Sequence, residues 1–575
     1  MQKRWVFGKT PEKATVENLQ KAINVNPVLS SILVQRGITS FESARSYFRP
    51  TLEDLHDPFL MKDMDVAVKR LTRALERQEK ILVYGDYDVD GTTSVSLVYG
   101  FLKGYTSNLG FYLPDRYTEG YGISEKGIKF AIDESVDLII ALDCGIRAIK
   151  TITMAREANI DVIICDHHIP GEVLPPAVAI LDPKQKDCKY PFKELSGCGI
   201  GFKFLQGYCL DNDISSDLLH NFIDLVAVSI AADIVPIIDE NRTLTYFGLK
   251  RLNTSPSHGL KALMKKAGLQ SDIDVSGVVF GIAPRINAAG RIRHANDAVW
   301  LLLAESEEKA TELSATVQDQ NMERKNIDQA ITKEALEMVQ NDPDYDSRKT
   351  TVAYNPHWHK GVIGIVASRL IENYYRPTIV LTQSNGKATG SARSVRGFNI
   401  YKAISACKDL LDQFGGHAYA AGLTLPIENI DEFKRKFDEV VQATITEEQL
   451  IPRISVDHHL DFDRINHKFF NILKQMAPFG PENPSPTFVT ENVKCSSSRI
   501  MKEAHLKLWL QQEGSKKTHE AVAFRMADIY DDISKGKPFN IAYHLDSNEY
   551  NGEKSIQLVI KDIKFDKDYG LDIKG

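Results

Sequence analysis

Four short apolar runs, each followed within two residues by an aspartate, constrain the fold of this chain more than any other feature. The runs cover residues 81–84, 138–142, 162–165 and 177–181, and the aspartates are Asp86, Asp143, Asp166 and Asp182. Runs that are apolar on both faces and alternate with helical stretches are typical of parallel strands covered by helices on each side. Because ligands of open α/β sheets bind beyond the carboxyl ends of the strands, the sequence predicts that these carboxylates face a ligand site.

The composition is that of a globular chain, with 43% hydrophobic and 26% charged residues among 575. No apolar stretch approaches the roughly 20 residues that span a bilayer, and the first residues lack the apolar region of a secretory signal. We therefore expect a cytoplasmic protein with no membrane partner. The net charge of −7 argues against a protein that coats DNA through overall basicity. The seven cysteines are scattered without any C-x-x-C pair, which favours reduced thiols over disulfides or a zinc site.

The remainder of the chain shows three further patterns. Residues 303–340 predict one long charged helix, since apolar side chains recur on one stripe and no Gly or Pro interrupts it. We interpret it as a strut between domains, with a solvated bundle helix as the alternative. A second α/β pattern covers 351–443. Short strand-like segments between 506 and 560 predict a small β barrel or sandwich, and the proline-rich stretch 477–486 is expected to mark its entrance.

Three alternating aspartates, Asp86, Asp88 and Asp90, stand on one tight turn and repel each other unless cations neutralise them. The string resembles the start of an EF-hand loop, but the twelfth position is Leu97 where that loop needs a glutamate, so calcium is disfavoured. Carboxylates with a few imidazoles match Mn²⁺ or Mg²⁺ better than structural zinc. Two such ions about 3.5–4 Å apart can hold the attacking and leaving oxygens of a phosphoryl displacement. Taken singly, each aspartate is more often a helix N-cap than a ligand.

The acidic motifs, in this order, resemble those of the DHH phosphoesterase superfamily. The resemblance rests on the motifs at 86–91, 143–145 and 166–168, an acidic motif at 224–236, and further matches at 284–291, 358–369, 390–394 and 415–422. Within the superfamily, the set is similar to the single-strand-specific 5′→3′ exonucleases. The resemblance implies a metal-dependent exonuclease that hydrolyses single-stranded DNA 5′→3′ to 5′ mononucleotides by a two-metal mechanism, in DNA repair and recombination.

The resemblance also implies an α/β architecture in five parts. Residues 1–75 form an N-terminal lead-in, 76–302 a parallel-sheet DHH domain, 303–342 a connecting helix, 343–445 a smaller α/β DHH-associated domain that binds nucleic acid, and 446–575 a C-terminal β barrel like an OB fold. OB folds combine a basic groove with aromatic stacking of single strands. Trp509, Phe524 and Tyr543 are candidates for such stacking, although core packing is the favoured interpretation for each one.

By the same resemblance, seven residues of the acidic motifs have a catalytic role. They are Asp86, Asp88, Asp90, Asp143, His167, His168 and Asp233. All except His168 are expected to bind two divalent metal ions, Mn²⁺ or Mg²⁺, with Asp143 bridging both, while His168 is expected to contact the scissile phosphate. Asp224 competes with Asp233 for the last position, but its place before an apolar run favours capping or packing.

A second Asp-His-His occurs at residues 457–459, and it also follows an apolar run. No other carboxylate motif lies near it in the sequence. We therefore interpret this second triplet as a solvated turn without a metal.

Two basic stretches stand out within the acidic chain. Residues 373–408 and 284–296 contain no Asp or Glu, and their arginines are interleaved with Gly, Ser and Asn, which lets a backbone approach phosphate. The alternative is a solvated charged face. Together with an Arg- and Tyr-bearing loop after the second strand, these motifs supply the predicted contacts to single-stranded DNA. They are Arg116, Tyr121, Arg285, Asn287, Ser391, Arg393 and His417.

Two other functions are kept as alternatives. Another DHH phosphoesterase, acting on pyrophosphate, short oligonucleotides or cyclic dinucleotides, would be shorter and lack the barrel. A non-catalytic DNA-binding scaffold would have lost metal ligands, and every expected ligand type is present here. The resemblance further leads us to expect a monomer that works with a helicase and a single-stranded-DNA-binding protein.

Overall fold

The computed structural model describes residues 3–270, 272–550, 553–565 and 572–573. The chain divides into two compact units. The central unit consists of Glu42–Glu323 and Met476–Ser485, and the flanking unit of Met1–Phe41, Arg324–Gln475 and Pro486–Gly575. Among the helices of the described residues, none is long and apolar enough to cross a membrane.

The N-terminal segment contains one strand and three helices. They are β1 (Arg4–Phe7), α1 (Lys13–Ile23), α2 (Pro27–Gln35) and α3 (Phe41–Phe48). Helix α2 shows why these short helices form where they do. Its first residue is a proline, which needs no N–H partner there, and the side chain of Asn26 accepts the N–H of Val28 at 2.9 Å.

The central unit is built on a five-stranded parallel sheet with the strand order β3-β2-β4-β5-β6. Its elements are α4 (Met64–Glu76), β2 (Ile81–Gly85), α5 (Val89–Leu102), β3 (Leu109–Tyr112), α6 (Glu125–Asp133), β4 (Leu138–Leu142), α7 (Ile149–Glu157), β5 (Asp161–Cys165) and β6 (Ala179–Leu181). The four predicted strands are confirmed, and strands β2 and β4 are buried along their whole length. Helices cover both faces, which is why these strands are apolar on both sides.

Helices complete the central unit. They are α8 (Gly197–Asp211), α9 (Asp217–His220), α10 (Ile223–Ala232), α11 (Asp239–Thr254), α12 (His258–Ala267), α13 (Val275–Gly277), α14 (Ala283–Ile292) and α15 (Asn296–Leu302). The predicted long helix is confirmed as α16 (Glu307–Gln340), with 34 residues. It begins in the central unit and ends in the flanking unit, and Val317 and Ile331 of its apolar stripe are buried.

The flanking unit contains a second, mixed sheet with the order β10-β11-β9-β8-β7. Its elements are β7 (Thr351–Tyr354), α17 (Ile363–Tyr374), β8 (Thr378–Ser384), β9 (Lys387–Arg393), α18 (Ile400–Ser405), β10 (Gln413–Gly416), β11 (Ala420–Leu425) and α19 (Ile430–Thr444). Only β7 and β8 are parallel, and the other pairs are antiparallel. This sheet is the second α/β pattern that the sequence predicts.

The same unit contains the predicted barrel. Its elements are β12 (Arg453–Val456), β13 (His458–His459), α20 (His467–Gln475), β14 (Phe488–Met501), β15 (His505–Gln512), β16 (Thr518–Ala523), α21 (Tyr530–Ser534), β17 (Phe539–Tyr550), β18 (Glu553–Lys564) and β19 (Asp572–Ile573). Strands β14, β15, β16, β18 and β17 pair in this order, and β17 pairs back onto β14, which closes a five-stranded barrel. Strand β1 lies outside it, between β12 and β19.

The three aromatic candidates of the barrel differ in exposure. Tyr543 is fully buried and its hydroxyl lies 2.9 Å from that of Thr490, so it belongs to the core as favoured above. Phe524 is 54% exposed. Trp509 is half-buried, with the ammonium of Lys507 5.5 Å from its ring centre. The two outward residues retain the surface that base stacking requires.

The interpretation of residues 457–459 as a solvated turn is wrong. His458 and His459 form β13, which pairs in parallel with the start of β14. Asp457 exchanges two bonds with Thr487, because its N–H donates to the Thr487 carbonyl at 2.9 Å and its Oδ2 accepts the Thr487 N–H at 2.8 Å. The triplet thus fixes a strand to the barrel.

The proline-rich stretch directly precedes the first long barrel strand, β14, but it packs in the central unit. Residues Met476–Ser485 belong to the central unit, although α20 before them and β14 after them belong to the flanking unit. Contacts with residues that lie far away in the sequence place this segment, and composition does not show them.

Candidate metal centre

The turn between β2 and α5 places the first three aspartates at the carboxyl edge of the sheet. Asp88 is the N-cap of α5, because its Oδ1 accepts the N–H of Gly91 at 3.1 Å. Asp86 is fully buried; its Oδ1 accepts the N–H of Gly122 at 3.2 Å, and its Oδ2 has no hydrogen-bond partner among the described residues. Gly91 is required here, since a Cβ would lie 2.3 Å from the Asp86 carbonyl oxygen. The turn therefore places the buried carboxylate of Asp86 close to the start of α5.

Asp90 is held by the N-terminus of α8. Its Oδ2 accepts the N–H of Gly197 at 2.7 Å, and its Oδ1 accepts the N–H of Cys198 at 2.8 Å and the hydroxyl of Ser229 at 2.7 Å. A negative charge at a helix N-terminus is favourable, because the free N–H groups and the helix dipole both point at it. Each of these bonds fixes the direction of the carboxylate, so Asp90 is preorganised.

Asp143 follows β4 in a left-handed conformation, with φ of 58°. Such a conformation is uncommon for a residue with a side chain, although aspartate adopts it more readily than most, and it recurs at active sites. The carboxylate is buried, and its Oδ2 has no hydrogen-bond partner among the described residues. Its Oδ1 lies 3.1 Å from Nε2 of His167. The strained backbone thus points a buried carboxylate at a histidine.

His167 lies at the centre of the cluster. Its Nε2 is 3.1 Å from Asp143 Oδ1, 3.6 Å from Asp90 Oδ2 and 3.7 Å from Asp233 Oδ2. Two groups that share this histidine, Asp143–His167–His168 and Asp90–His167–Asp233, each bring three ligand atoms within 4.8 Å of one another. Nitrogen and carboxylate ligands with unpaired buried oxygens fit Mn²⁺ or Mg²⁺. Asp86 and Asp88 lie outside these two groups.

Electrostatics also favour cations at this place. Burial raises the pKa of Asp86, Asp143 and Asp233, and neighbouring carboxylates raise each of these pKa values further. Several carboxylates this close cannot all be ionised without a compensating positive charge. The donor set therefore matches a site for divalent cations.

Asp166 was predicted to lie at the ligand edge of the sheet, but no catalytic or metal-binding role was predicted for it. Its Oδ1 accepts the N–H groups of His167 and His168 and lies 2.7 Å from Nδ1 of His168, and its Oδ2 accepts the N–H of Ile146. Although burial alone acts in the opposite direction, the hydrogen bond with His168 lowers the pKa of Asp166 to about 2. Burial by itself lowers the pKa of His168, but the hydrogen bond with Asp166 and the charge of neighbouring carboxylates outweigh it, and the pKa of His168 is raised to about 9. The signal for this role was its position at a strand end.

Two predicted DNA contacts, Tyr121 and Arg116, lie next to the cluster. The hydroxyl of Tyr121 donates to the carbonyl of Asp143 at 2.9 Å and lies 3.2 Å from Nε2 of His168. The guanidinium of Arg116 lies 4.4 Å from the ring centre of Tyr87. Because 52% of Tyr121 is exposed, its ring remains accessible beside the metal centre.

The predicted DNA contact of Arg285 is not supported, because this side chain is buried and used internally. Its Nη1, Nη2 and Nε donate to Gly281, Lys266 and Gln318 respectively, at 2.5, 3.0 and 2.8 Å. Arg285 therefore ties α14 to its surroundings. Asn287, on the same helix, is half-buried.

Ser391 and Arg393 lie side by side on β9 in the flanking unit. Arg393 Nη1 donates to Ser391 Oγ at 2.9 Å. A Cβ on Gly364 would lie 3.0 Å from both Arg393 Nη2 and Ser391 Oγ, so the two side chains reach the first turn of α17. A guanidinium, a hydroxyl and helix N–H groups are the donors that phosphate prefers.

Two other basic residues of the flanking unit differ in character. His417 is exposed after β10, and its N–H donates to the carbonyl of Ala420 at 2.8 Å. Arg376 is buried; it donates to the Thr351 hydroxyl and to two backbone carbonyls, so it stabilises the fold and does not line a phosphate groove. Basic residues of the same unit therefore have different roles.

Asp224 contributes to packing, as the sequence reasoning favoured. Its Oδ2 accepts the N–H of Ser257 at 3.0 Å, and its Oδ1 accepts the N–H of Leu225. It is fully buried at the start of α10, whereas Asp233 at the other end of that helix reaches His167.

Three family models match the chain. They are the DHH family N-terminal domain over residues 80–230, the DHHA1 domain over 348–443 and the RecJ OB domain over 456–562. The chain is 38% identical to the single-stranded-DNA-specific exonuclease RecJ of Bacillus subtilis, over 100% of this chain and 72% of that protein. It is 31% identical to the RecJ of Escherichia coli, over 93% of this chain and 96% of that protein.

Solved structures are similar as well. RecJ from Thermus thermophilus in complex with Mn²⁺ matches with a TM-score of 0.84 and 26% identity, covering 98% of this chain and 79% of that chain. A second structure, exonuclease RecJ bound to manganese, matches with a TM-score of 0.60 and 30% identity over 69% of this chain and 98% of that chain. On the strength of the full-length similarity, the three domain matches and the shared fold, this chain belongs to the RecJ family of DHH proteins.

Proposed function

We propose that this protein is a metal-dependent exonuclease that hydrolyses single-stranded DNA 5′→3′ and releases 5′ mononucleotides. The observation that carries the proposal is the pair of ligand groups that share the buried His167 in one carboxylate cluster. The relatives reported above are named as single-stranded-DNA-specific exonucleases, and two of the similar structures contain manganese. The polarity and the mononucleotide product come from the resemblance to these exonucleases.

The proposed ligands of two divalent ions are the six residues predicted from the sequence. They are Asp86, Asp88, Asp90, Asp143, His167 and Asp233. The unpaired buried Oδ2 atoms of Asp86 and Asp143 are the clearest open positions. When bound, Mn²⁺ or Mg²⁺ supplies the Lewis acidity and nucleophile activation that phosphodiester hydrolysis requires.

The protein's own side chains then bind and orient the strand. Asp166 orients His168 through its Nδ1, and the Nε2 of His168, which lies beside the Tyr121 hydroxyl, donates a hydrogen bond to a phosphate oxygen. Arg116 and Tyr121 bind the nucleotide next to the metal centre, and Tyr121 supplies a ring for stacking. Ser391, Arg393 and His417 are proposed phosphate contacts, and Asn287 is a proposed contact on α14.

The test is digestion of a single-stranded oligonucleotide that carries a 5′ label, with Mn²⁺, with Mg²⁺ or with EDTA. We expect labelled mononucleotide only when metal is present. Asp143→Ala removes a buried ligand and is expected to abolish release. Strand binding should be largely retained, because the proposed phosphate contacts of Arg393 and His417 do not involve Asp143. Release of label in EDTA, or near-normal turnover by Asp143→Ala, would contradict the metal-dependent mechanism.

The same assay separates the alternatives. Cleavage restricted to dinucleotides or pyrophosphate indicates another DHH phosphoesterase, and binding without cleavage indicates a scaffold. The five-part domain division, the helicase and single-stranded-DNA-binding protein as partners, the monomeric state and the cytoplasmic location remain predictions.

A further inference from the structure

Residues Met476–Ser485, which we term the return segment, belong to the central unit although both of their neighbours in sequence belong to the flanking unit. The segment is stabilised internally by Asn483, which is 1% exposed. The Asn483 Nδ2 donates to the carbonyl of Pro478 at 2.7 Å and to that of Met476 at 3.2 Å. Gly480 and Asn483 also exchange two backbone bonds, at 3.0 and 3.1 Å. The return segment is therefore a turn that is held by its own hydrogen bonds.

The return segment binds the loop that connects Asp233 to α11. The N–H of Ile237 donates to the carbonyl of Pro481 at 2.8 Å. Gly480 packs directly on Ile237, and a Cβ on Gly480 would lie only 2.4 Å from Ile237 Cδ1. Ile237 is fully buried, so it cannot move aside into solvent. The position of this loop thus depends on the absence of a side chain at residue 480.

Arg242 supplies a second attachment at the start of α11. Its Nη2 donates to the carbonyl of Ala477 at 2.9 Å, and its guanidinium lies 4.0 Å from the ring centre of Tyr47. The hydroxyl of Tyr47 lies 2.9 Å from Asn483 Oδ1 and donates to the carbonyl of Met476 at 3.0 Å. Both ends of the return segment are therefore fixed to the central unit.

The loop that receives these contacts is strained beside the metal centre. Ile234, the residue after Asp233, has φ of 61° although it is β-branched, and 66% of it is exposed. A β-branched residue in this conformation persists only when the structure on both sides holds it. Helix α10 holds the upstream side, where the N–H of Asp233 donates to Ser229. The downstream side is held at Pro236, whose carbonyl accepts from Asn241, and at Ile237.

We propose that the return segment positions Asp233 for metal binding, with Gly480 and Arg242 as positioning residues. The inference rests on the proposed function, since it takes Asp233 as a metal ligand. The direction of the Asp233 carboxylate, whose Oδ2 lies 3.7 Å from His167 Nε2, follows from the strained turn at Ile234, and the return segment stabilises that turn. Metal affinity therefore depends on a segment that the chain supplies between α20 and the first long barrel strand.

The experiment compares Mn²⁺ titrations of the full chain, read by electron paramagnetic resonance of free Mn²⁺, for wild type, Gly480→Ala and Gly104→Ala. Gly104 is a matched control in the central unit, because the nearest atom to its Cβ would be the Phe101 carbonyl oxygen at an ordinary 3.5 Å. We expect Gly480→Ala to weaken one Mn²⁺ binding event about tenfold, the lower end of the effect of mutating groups that orient ligands. The KM for the oligonucleotide should stay unchanged, and added Mn²⁺ should restore turnover.

An Asp233→Ala background tests whether the effect passes through Asp233. There Gly480→Ala should cause no further loss of Mn²⁺ affinity, because two changes that act through one group are not additive. A folded Gly480→Ala protein whose Mn²⁺ titration equals that of Gly104→Ala overturns the proposal, and so does a full tenfold loss on the Asp233→Ala background.

Two further outcomes are distinguishable. If Gly480→Ala does not fold, as judged by its thermal unfolding, Tyr47→Phe decides. It removes the hydroxyl bonds to the return segment and keeps the ring under Arg242, and unchanged Mn²⁺ affinity would overturn the proposal.

Wild-type protein that binds Mn²⁺ but cleaves no DNA contradicts the proposed function alone, because the comparison of Mn²⁺ affinities is still valid. Wild-type protein that binds no Mn²⁺ overturns both.

Discussion

The chain contains two Asp-His-His triplets, at 166–168 and at 457–459, and the same three residues do different work in each place. Both follow an apolar run. The first follows a parallel strand beside β4, and His167 meets Asp143 after β4, Asp90 in the first turn of α5 and Asp233 at the end of α10. The second lies beside the barrel, where Asp457 binds the backbone of Thr487. The chemistry of the triplet is set by which carboxylates the neighbouring strand and helix ends bring to it.

The histidines show the same contrast. His167 is buried with its Nδ1 unpaired among the described residues, and His168 is oriented by Asp166. His459 instead stacks on Phe7 with ring centres 4.6 Å apart, and it lies 3.7 Å from Glu491. A single half-exposed carboxylate near one imidazole contributes little to stability.

The largest effect is expected at His167. His167→Ala removes the nitrogen that both ligand groups share, and we expect cleavage of the labelled oligonucleotide to fall at least about a thousandfold, since metal ions contribute several kcal/mol to the transition state. The matched change His458→Ala should cleave at the wild-type rate. If the two variants lose activity to a similar extent in single-turnover digestion, the conclusion that only the first triplet takes part in cleavage is wrong.

A smaller effect is expected at Asp166. Asp166→Asn keeps the shape but removes the charge that fixes the ring of His168, and we expect a loss of about 10–100-fold in kcat, as for other groups that orient catalytic ligands. The pH profile of kcat should change as well, because the pKa of His168 falls when its carboxylate partner is removed. Asp457→Asn is the control. An unchanged profile for Asp166→Asn would mean that His168 takes no part in the reaction.

The periodic parts of the fold were predictable from the sequence, and so were the motifs. Strands β2, β4, β5 and β6 were predicted from apolar runs, because a strand that is buried on both faces has consecutive apolar residues in the sequence. The burial of Arg285 and Arg376 was not predictable. The hydrogen-bond partners of Arg285, for example, include Gln318, which is 33 residues away in the sequence. The position of the return segment likewise depends on Tyr47 and Ile237, and no local pattern records such contacts.

The smallest effect is expected at Asp457, and it concerns stability. Asp457→Ala removes the carboxylate that accepts the N–H of Thr487, a residue that is 3% exposed, and leaves this buried donor without its acceptor, so we expect the free energy of unfolding to fall by about 1–2 kcal/mol. Cleavage by the folded protein should be unchanged, because no metal ligand is lost. Urea denaturation followed by tryptophan fluorescence, combined with the digestion assay, measures both. A variant of full stability and reduced cleavage would reverse the assignment, because it would place the second triplet in the reaction and deny it a structural role.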